Sequence, residues 1–179
     1  SCELAEQYNY ELPSEEAAQI DDKRELNRRE YRLALKGHSL AVSEWGKKGA
    51  PALLCVHGFL EQGPVWEELA LKLVDLGYRV IAPDLRGHGL SSHHDAQTVN
   101  IGDYVNDLDE LISTHIGSKV DLIGHSLGSV LAAKLAERQP ALVNSLVLIE
   151  TIVPSVDKQS VQARDVKGKL APSSQSVQH

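Results

Sequence analysis

The sequence predicts an α/β architecture, a mostly parallel β-sheet with helices packed against it. Three observations carry this. Short apolar runs recur along the chain, among them Pro51-Ala52-Leu53-Leu54-Cys55-Val56, Tyr78-Arg79-Val80-Ile81 and Leu146-Val147-Leu148-Ile149, each short enough for a buried strand. Stretches with apolar residues at helical spacing lie between the later ones, as in Ser129-Val130-Leu131-Ala132-Ala133-Lys134-Leu135-Ala136. The pentapeptide Gly124-His125-Ser126-Leu127-Gly128 separates the strand-like Lys119-Val120-Asp121-Leu122-Ile123 from that helical stretch. It has the form Gly-x-Ser-x-Gly, a nucleophile elbow, in which a sharp turn lifts a serine off the end of a sheet. Such a turn is crowded, so the residues two positions either side of the serine must lack bulk, and Gly124 and Gly128 meet that need.

Taken in order, strands are predicted at about 31–36, 38–45, 51–57, 78–83, 119–124 and 144–150, and helices near 64–76, 99–115 and 127–138. The strand at 51–57 runs into His57-Gly58-Phe59, 69 positions before the serine. Attack on a carbonyl leaves a negatively charged oxygen that two backbone N–H groups can hold. One is the amide after the nucleophile, here Leu127, and the other comes from the loop after the third strand, assigned here to Phe59. The strand at 78–83 leads into Asp84-Leu85-Arg86-Gly87-His88-Gly89-Leu90-Ser91.

These three segments, in this order and spacing, resemble the α/β-hydrolase superfamily over roughly residues 31–153. The run from His57 through Glu61 to Trp66, the loop 84–92, and Ile149-Glu150 at a strand end are further similar to chain-terminating polyketide thioesterases of the curacin type. That resemblance implies an acyl chain released from a carrier protein. It also implies the N-terminal six strands of the usual eight-stranded, mostly parallel sheet of the α/β-hydrolase fold, so the 179-residue chain reads as truncated. The lack of any Met strengthens that expectation.

Residues 1–30 carry nine acidic and four basic side chains, net −5 of a total −7, and read as an acidic N-terminal extension or linker. The core is expected at 31–153, and the Ser/Gln-rich stretch 154–179 as the start of a lid or a loose tail. No apolar run is long enough to span a membrane, and the acidic balance without a basic run argues against nucleic acid. Cys2 and Cys55 do not suggest a disulfide, so a cytoplasmic setting is the default. No phosphate loop, dinucleotide fingerprint or metal constellation is present, so neither cofactor nor metal is expected.

A serine hydroxyl needs a base, commonly His. His125 adjoins Ser126, but neighbours on a sharp turn point different ways, so it is not expected to be that base. His57 and His88 read as braces of the loops above the sheet, and His93 and His94 as surface residues; with no spaced third ligand, that pair does not suggest zinc. His38, His115 and His179 are placed too early, on a helix face and in the tail. Chains of this fold carry the catalytic His after an eighth strand, so the base is expected outside this sequence. Glu150 is the first charge after Leu146-Val147-Leu148-Ile149, 24 positions beyond Ser126. The resemblance to curacin-type thioesterases implies that it is the triad acid, whereas many other hydrolases of the fold take their acid after strand 7. Asp84 and Arg86 read as braces of backbone.

Three functions fit: an acyl thioesterase acting on a small acyl substrate, free or bound to an acyl carrier protein; an esterase, lactonase or C–C hydrolase with the same machinery; or a non-catalytic fragment serving as an interaction module. Haloalkane dehalogenases and epoxide hydrolases share the fold but place Asp at the elbow, which Ser126 opposes.

Overall fold

A computed structural model describes residues 28–93 and 100–151. Six strands form one sheet: β1 (Arg28–Leu35), β2 (His38–Trp45), β3 (Ala52–Val56), β4 (Arg79–Pro83), β5 (Val120–His125) and β6 (Val143–Ile149). Their spatial order is β1-β2-β4-β3-β5-β6, with the β1–β2 and β2–β4 pairs antiparallel and the others parallel. Three α-helices follow β3, β4 and β5: α1 (Glu67–Asp75), preceded by a 3-10 turn at Gly63–Trp66, α2 (Ile101–Glu110), continued by a π-helical turn at Leu111–Ile116, and α3 (Leu127–Arg138). The predicted α/β class and the six strands are therefore present.

The sheet separates two cores. Because successive strand side chains point to opposite faces, Ala52, Leu54 and Val56 of β3 enter one core while Leu53 and Cys55 enter the other. The first core takes Val105 and Leu108 of α2 and Leu131, Ala132 and Leu135 of α3; the second takes Ala70 of α1 together with Trp45 and Trp66. Central strands covered on both faces read as unbroken apolar runs, and all five residues of β3 are buried.

Two elements depart from expectation. The first strand starts at Arg28 rather than near 31, since Arg28, Arg29 and Glu30 pair with Trp45, Glu44 and Ser43. Three charged residues hid that pairing; they are held from the side, with Arg29 on the buried Glu44. The apolar run of β6 is not buried: Leu146, Val147, Leu148 and Ile149 are 38–48% exposed. Among the described residues β6 has a neighbour on one edge only. The predicted extension before residue 28 and the predicted tail beyond 151 lie outside the described residues.

The connection from β3 through α1 reaches β4 on one side, and the connection from β4 through α2 passes back across β3 to β5. The chain thus diverges above the carboxyl ends of β3 and β5. In open α/β sheets a ligand crevice opens at such a switch point.

Candidate active site

Ser126 sits at that switch point, between the last residue of β5 and the first of α3. Its backbone angles, φ 50° and ψ −117°, belong to neither element. Packing enforces the turn. A Cβ on Gly124 would run into the Gly128 carbonyl, and a Cβ on Gly128 would run into the Val56 and His57 carbonyls at the end of β3. Both glycines are thus required by close approach of backbone to backbone. The Ser126 N–H donates to the Ile149 carbonyl of β6 at 3.0 Å, and the Ser126 carbonyl accepts from the Ser129 amide and hydroxyl at 3.0 and 2.6 Å. The half-buried Ser126 hydroxyl has no hydrogen-bond partner among the described residues.

The loop after β3 lies against this turn: a Cβ built on Gly58 would be 3.2 Å from the Ser126 Cβ. Its first residue, His57, is fully buried. Nδ1 donates to the Gly58 carbonyl at 2.7 Å and Nε2 accepts from the Leu85 amide at 2.9 Å, so the ring is neutral and ties this loop to the one after β4. Burial lowers its pKa and holds it in that form. Phe59 is exposed, its ring edge-on to His88 at 5.8 Å. Its amide donates to no described residue. The Leu127 amide opens α3, where no intrahelical acceptor exists for it.

Glu150 directly follows β6, at φ 51°, with its side chain 79% exposed. Its carboxylate meets His125 Nε2 at 3.2 Å, while His125 Nδ1 meets Glu61 Oε2 at 3.1 Å. The bond with Glu61, then that with Glu150, raises the His125 pKa against the opposing effect of burial. Both ring nitrogens face carboxylates, leaving no lone pair directed at the serine hydroxyl. Glu61 escaped sequence reasoning; the signal that could have found it is a carboxylate three residues beyond Gly58, the spacing at which a side chain closes a turn on its own backbone.

The remaining polar candidates brace loops. Asp84 accepts from the Gly63 amide at 2.6 Å and the Leu90 amide at 2.9 Å. Arg86 forks onto Asp107, which also meets His38 at 3.0 Å. His88 Nδ1 lies 3.0 Å from the Arg86 carbonyl, and His115, in the turn that continues α2, bonds the Tyr31 hydroxyl of β1 at 2.7 Å. His93 bonds the Gly89 carbonyl, whereas His94 and His179 lie outside the described residues.

Among the described residues only three non-glycine residues have positive φ: Leu60, Ser126 and Glu150. They stand on three separate loops at the same end of the sheet, after β3, β5 and β6. Backbone strain of this kind gathers at functional sites. Glu61, His125 and Ile149 also line a hollow of about 210 Å³, completed by Val65 and Trp66. No group of three His, Cys, Asp or Glu among the described residues is arranged to hold a metal ion, and no described helix is long and apolar enough to cross a membrane.

The family model for the alpha/beta hydrolase fold matches residues 51–173. The AB hydrolase superfamily protein YfhM of Bacillus subtilis is 35% identical over 123 residues, covering 68% of this chain and 43% of YfhM. Lipase LipV of Mycobacterium tuberculosis is 33% identical over 127 residues, 71% of this chain and 46% of the lipase. Among solved structures, the thioesterase domain from the curacin biosynthetic pathway superposes with a TM-score of 0.69 at 36% identity, over 73% of this chain and 49% of that domain. The chain therefore spans about half the length of these relatives.

Proposed function

We propose a serine acyl hydrolase, starting from the fact that the chain belongs to the α/β-hydrolase fold family. The observation that carries the reading is the Ser126 elbow, a strained serine with an unpartnered hydroxyl at the switch point of the sheet, with the Gly58 loop packed against it. Ser126 Oγ attacks the acyl carbon of an ester or thioester, and a tetrahedral oxyanion forms between the Phe59 and Leu127 amides. The C–O or C–S bond then breaks, the leaving alcohol or thiol takes a proton, and water attacks the acyl-serine to free the acid and regenerate the hydroxyl. The Leu127 amide directly follows the serine and the Phe59 amide follows Gly58, which packs against it; neither has an acceptor among the described residues, which supports the oxyanion assignment.

The triad acid in this reading is Glu150. Its backbone strain and its position one residue beyond the carbonyl that holds Ser126 support it over a solvated strand end. The base is a histidine brought by sequence other than the residues described above, because His57 and His125, the described histidines beside the elbow in space and in sequence, already spend both ring nitrogens on backbone or carboxylates.

Within this class we favour an acyl thioesterase releasing a small-molecule or polyketide acyl chain, free or borne on an acyl carrier protein, in a cytoplasmic setting and without a cofactor. The likeness to the curacin thioesterase domain supports it. A second reading, a small-ester hydrolase, is favoured by the likeness to a lipase. Kinetics on a full-length protein containing this domain decide between them: acyl-pantetheine thioesters turned over with a kcat/KM well above that of the matching oxygen esters support the first, and the reverse order selects the second. Turnover of either substrate that survives Ser126→Ala overturns both.

A further inference from the structure

The turn carrying Phe59 is closed twice by one residue. The Glu61 amide donates to the Gly58 carbonyl at 3.3 Å, and the Gly58 amide donates to Glu61 Oε2 at 2.6 Å. Between them Phe59 and Leu60 form the tip, with Leu60 at φ 63°. That same Oε2 meets His125 Nδ1, on the residue before the nucleophile. One carboxylate oxygen therefore fastens the loop after β3 to the elbow after β5. We propose that Glu61 is a positioning residue: it fixes the direction of the Phe59 amide relative to Ser126, with His125 as the cation that holds the carboxylate in place. The proposal rests on the serine hydrolase reading above.

The need for such a clamp follows from the oxyanion site itself. Its two donors stand on loops from different strands, and they act only if aimed in advance at the point where charge develops. The Leu127 amide is fixed by α3, whereas the Phe59 amide lies in an exposed turn with an unfavourable left-handed residue beside it, a conformation that persists only when its surroundings over-determine it. A short N–H···carboxylate bond supplies that determination. A bare carboxylate so near a developing oxyanion would oppose the reaction, and pairing with the His125 imidazolium offsets its charge. Among the described residues, the charged groups facing His125 are Glu61 and Glu150, and the charged group facing Glu61 is His125, beside the neutral, buried His57. The Glu61 pKa is accordingly lowered: burial pushes it up, and the Gly58 amide and His125 outweigh that.

The test uses a full-length protein containing this domain and a fluorophosphonate, whose attack by serine passes through the same oxyanion site without requiring deacylation. The rate of labelling at Ser126 is followed by intact mass, with Ser126→Ala as the control, alongside NMR of the Phe59 amide and of the His125 ring. Glu61→Ala is expected to slow labelling by about 10²-fold, the scale of a 1 Å misplacement. It should also move the Phe59 amide resonance and lower the His125 titration, leaving only the part of the rise that Glu150 supplies. Glu61→Gln, which keeps an acceptor for the Gly58 amide, should recover most of the rate but not the His125 shift. Unchanged labelling in a folded Glu61→Ala overturns the proposal and leaves the serine hydrolase reading standing. If wild type labels no faster than Ser126→Ala, that reading fails; the Phe59 and His125 signals then still decide whether Glu61 clamps the loop.

Discussion

The Ser126 amide donates to the Ile149 carbonyl, so the serine of the elbow is held by the residue that directly precedes Glu150. Two adjacent strands thus end at one point, with a hydroxyl on one and a carboxylate on the next. The Glu150 side chain is exposed, and its carboxylate meets His125 Nε2 at 3.2 Å.

Replacing Glu150 by Gln in a full-length protein containing this domain is expected to lower kcat by about 10⁴-fold, the scale known for removing the charge of a triad acid. Stability should change by less than about 0.5 kcal/mol, since the side chain is at the surface. Steady-state kinetics and urea denaturation check the two halves. Near-normal turnover would move the acid to another loop.

The 179-residue chain alone is expected to hydrolyse activated esters and thioesters only feebly, because among the described residues no histidine bonds the Ser126 hydroxyl. Loss of a catalytic His costs about 10⁶ in turnover in subtilisin, with roughly 10³–10⁴ over water retained by oxyanion binding. Turnover at an ordinary enzymatic rate, abolished by Ser126→Ala, would mean that a histidine of this chain is the base.

Gly128→Ala should destabilise the fold by about 1–3 kcal/mol, since its methyl group meets two backbone carbonyls of the strand β3 exit that cannot move aside. The midpoint of urea unfolding reads this directly. An unchanged midpoint would show that the elbow is looser than its packing implies.

Stability should fall in acid through Glu44. Burial pushes this carboxyl up, but hydrogen bonds from Arg79, Tyr31 and Arg29 outweigh it and hold the pKa at about 2. A folded pKa below the unfolded value of 4.5 gives stabilisation that is fully present above pH 4.5 and is lost as the pH falls towards 2. Glu44→Gln should flatten that part of the stability profile. An equally steep loss in the variant would assign it to other carboxylates.

The elbow and the strands were legible because each rests on local chemistry: small residues around Ser126, and apolar runs such as Leu53 to Val56 that only a covered strand accommodates. Glu61 and Glu44 were not. Each is one carboxylate among 25 acidic residues, and its meaning comes from partners distant in sequence, His125 in one case and Arg79 in the other. The start of β1 was hidden for a related reason, since Arg28, Arg29 and Glu30 pair as strand while carrying the charge pattern of a solvated linker. The exposure of β6 could not be read from its apolar sequence, because burial of a strand depends on what lies beside it.

Left-handed Leu60 marks a place where this protein could be made sturdier at the expense of its chemistry. Its side chain is 82% exposed, so packing gives no reason for leucine there. Glycine would adopt φ 63° without the steric cost borne by a side chain, on the order of 1 kcal/mol, partly offset by the greater freedom glycine has when unfolded. Leu60→Gly is thus expected to leave thermal stability level or raised, while loosening the turn that carries Phe59. A variant that melts higher but reacts more slowly would reveal a trade between robustness and reactivity at a single exposed position, and one that melts markedly lower would show that leucine supports the turn in some other way.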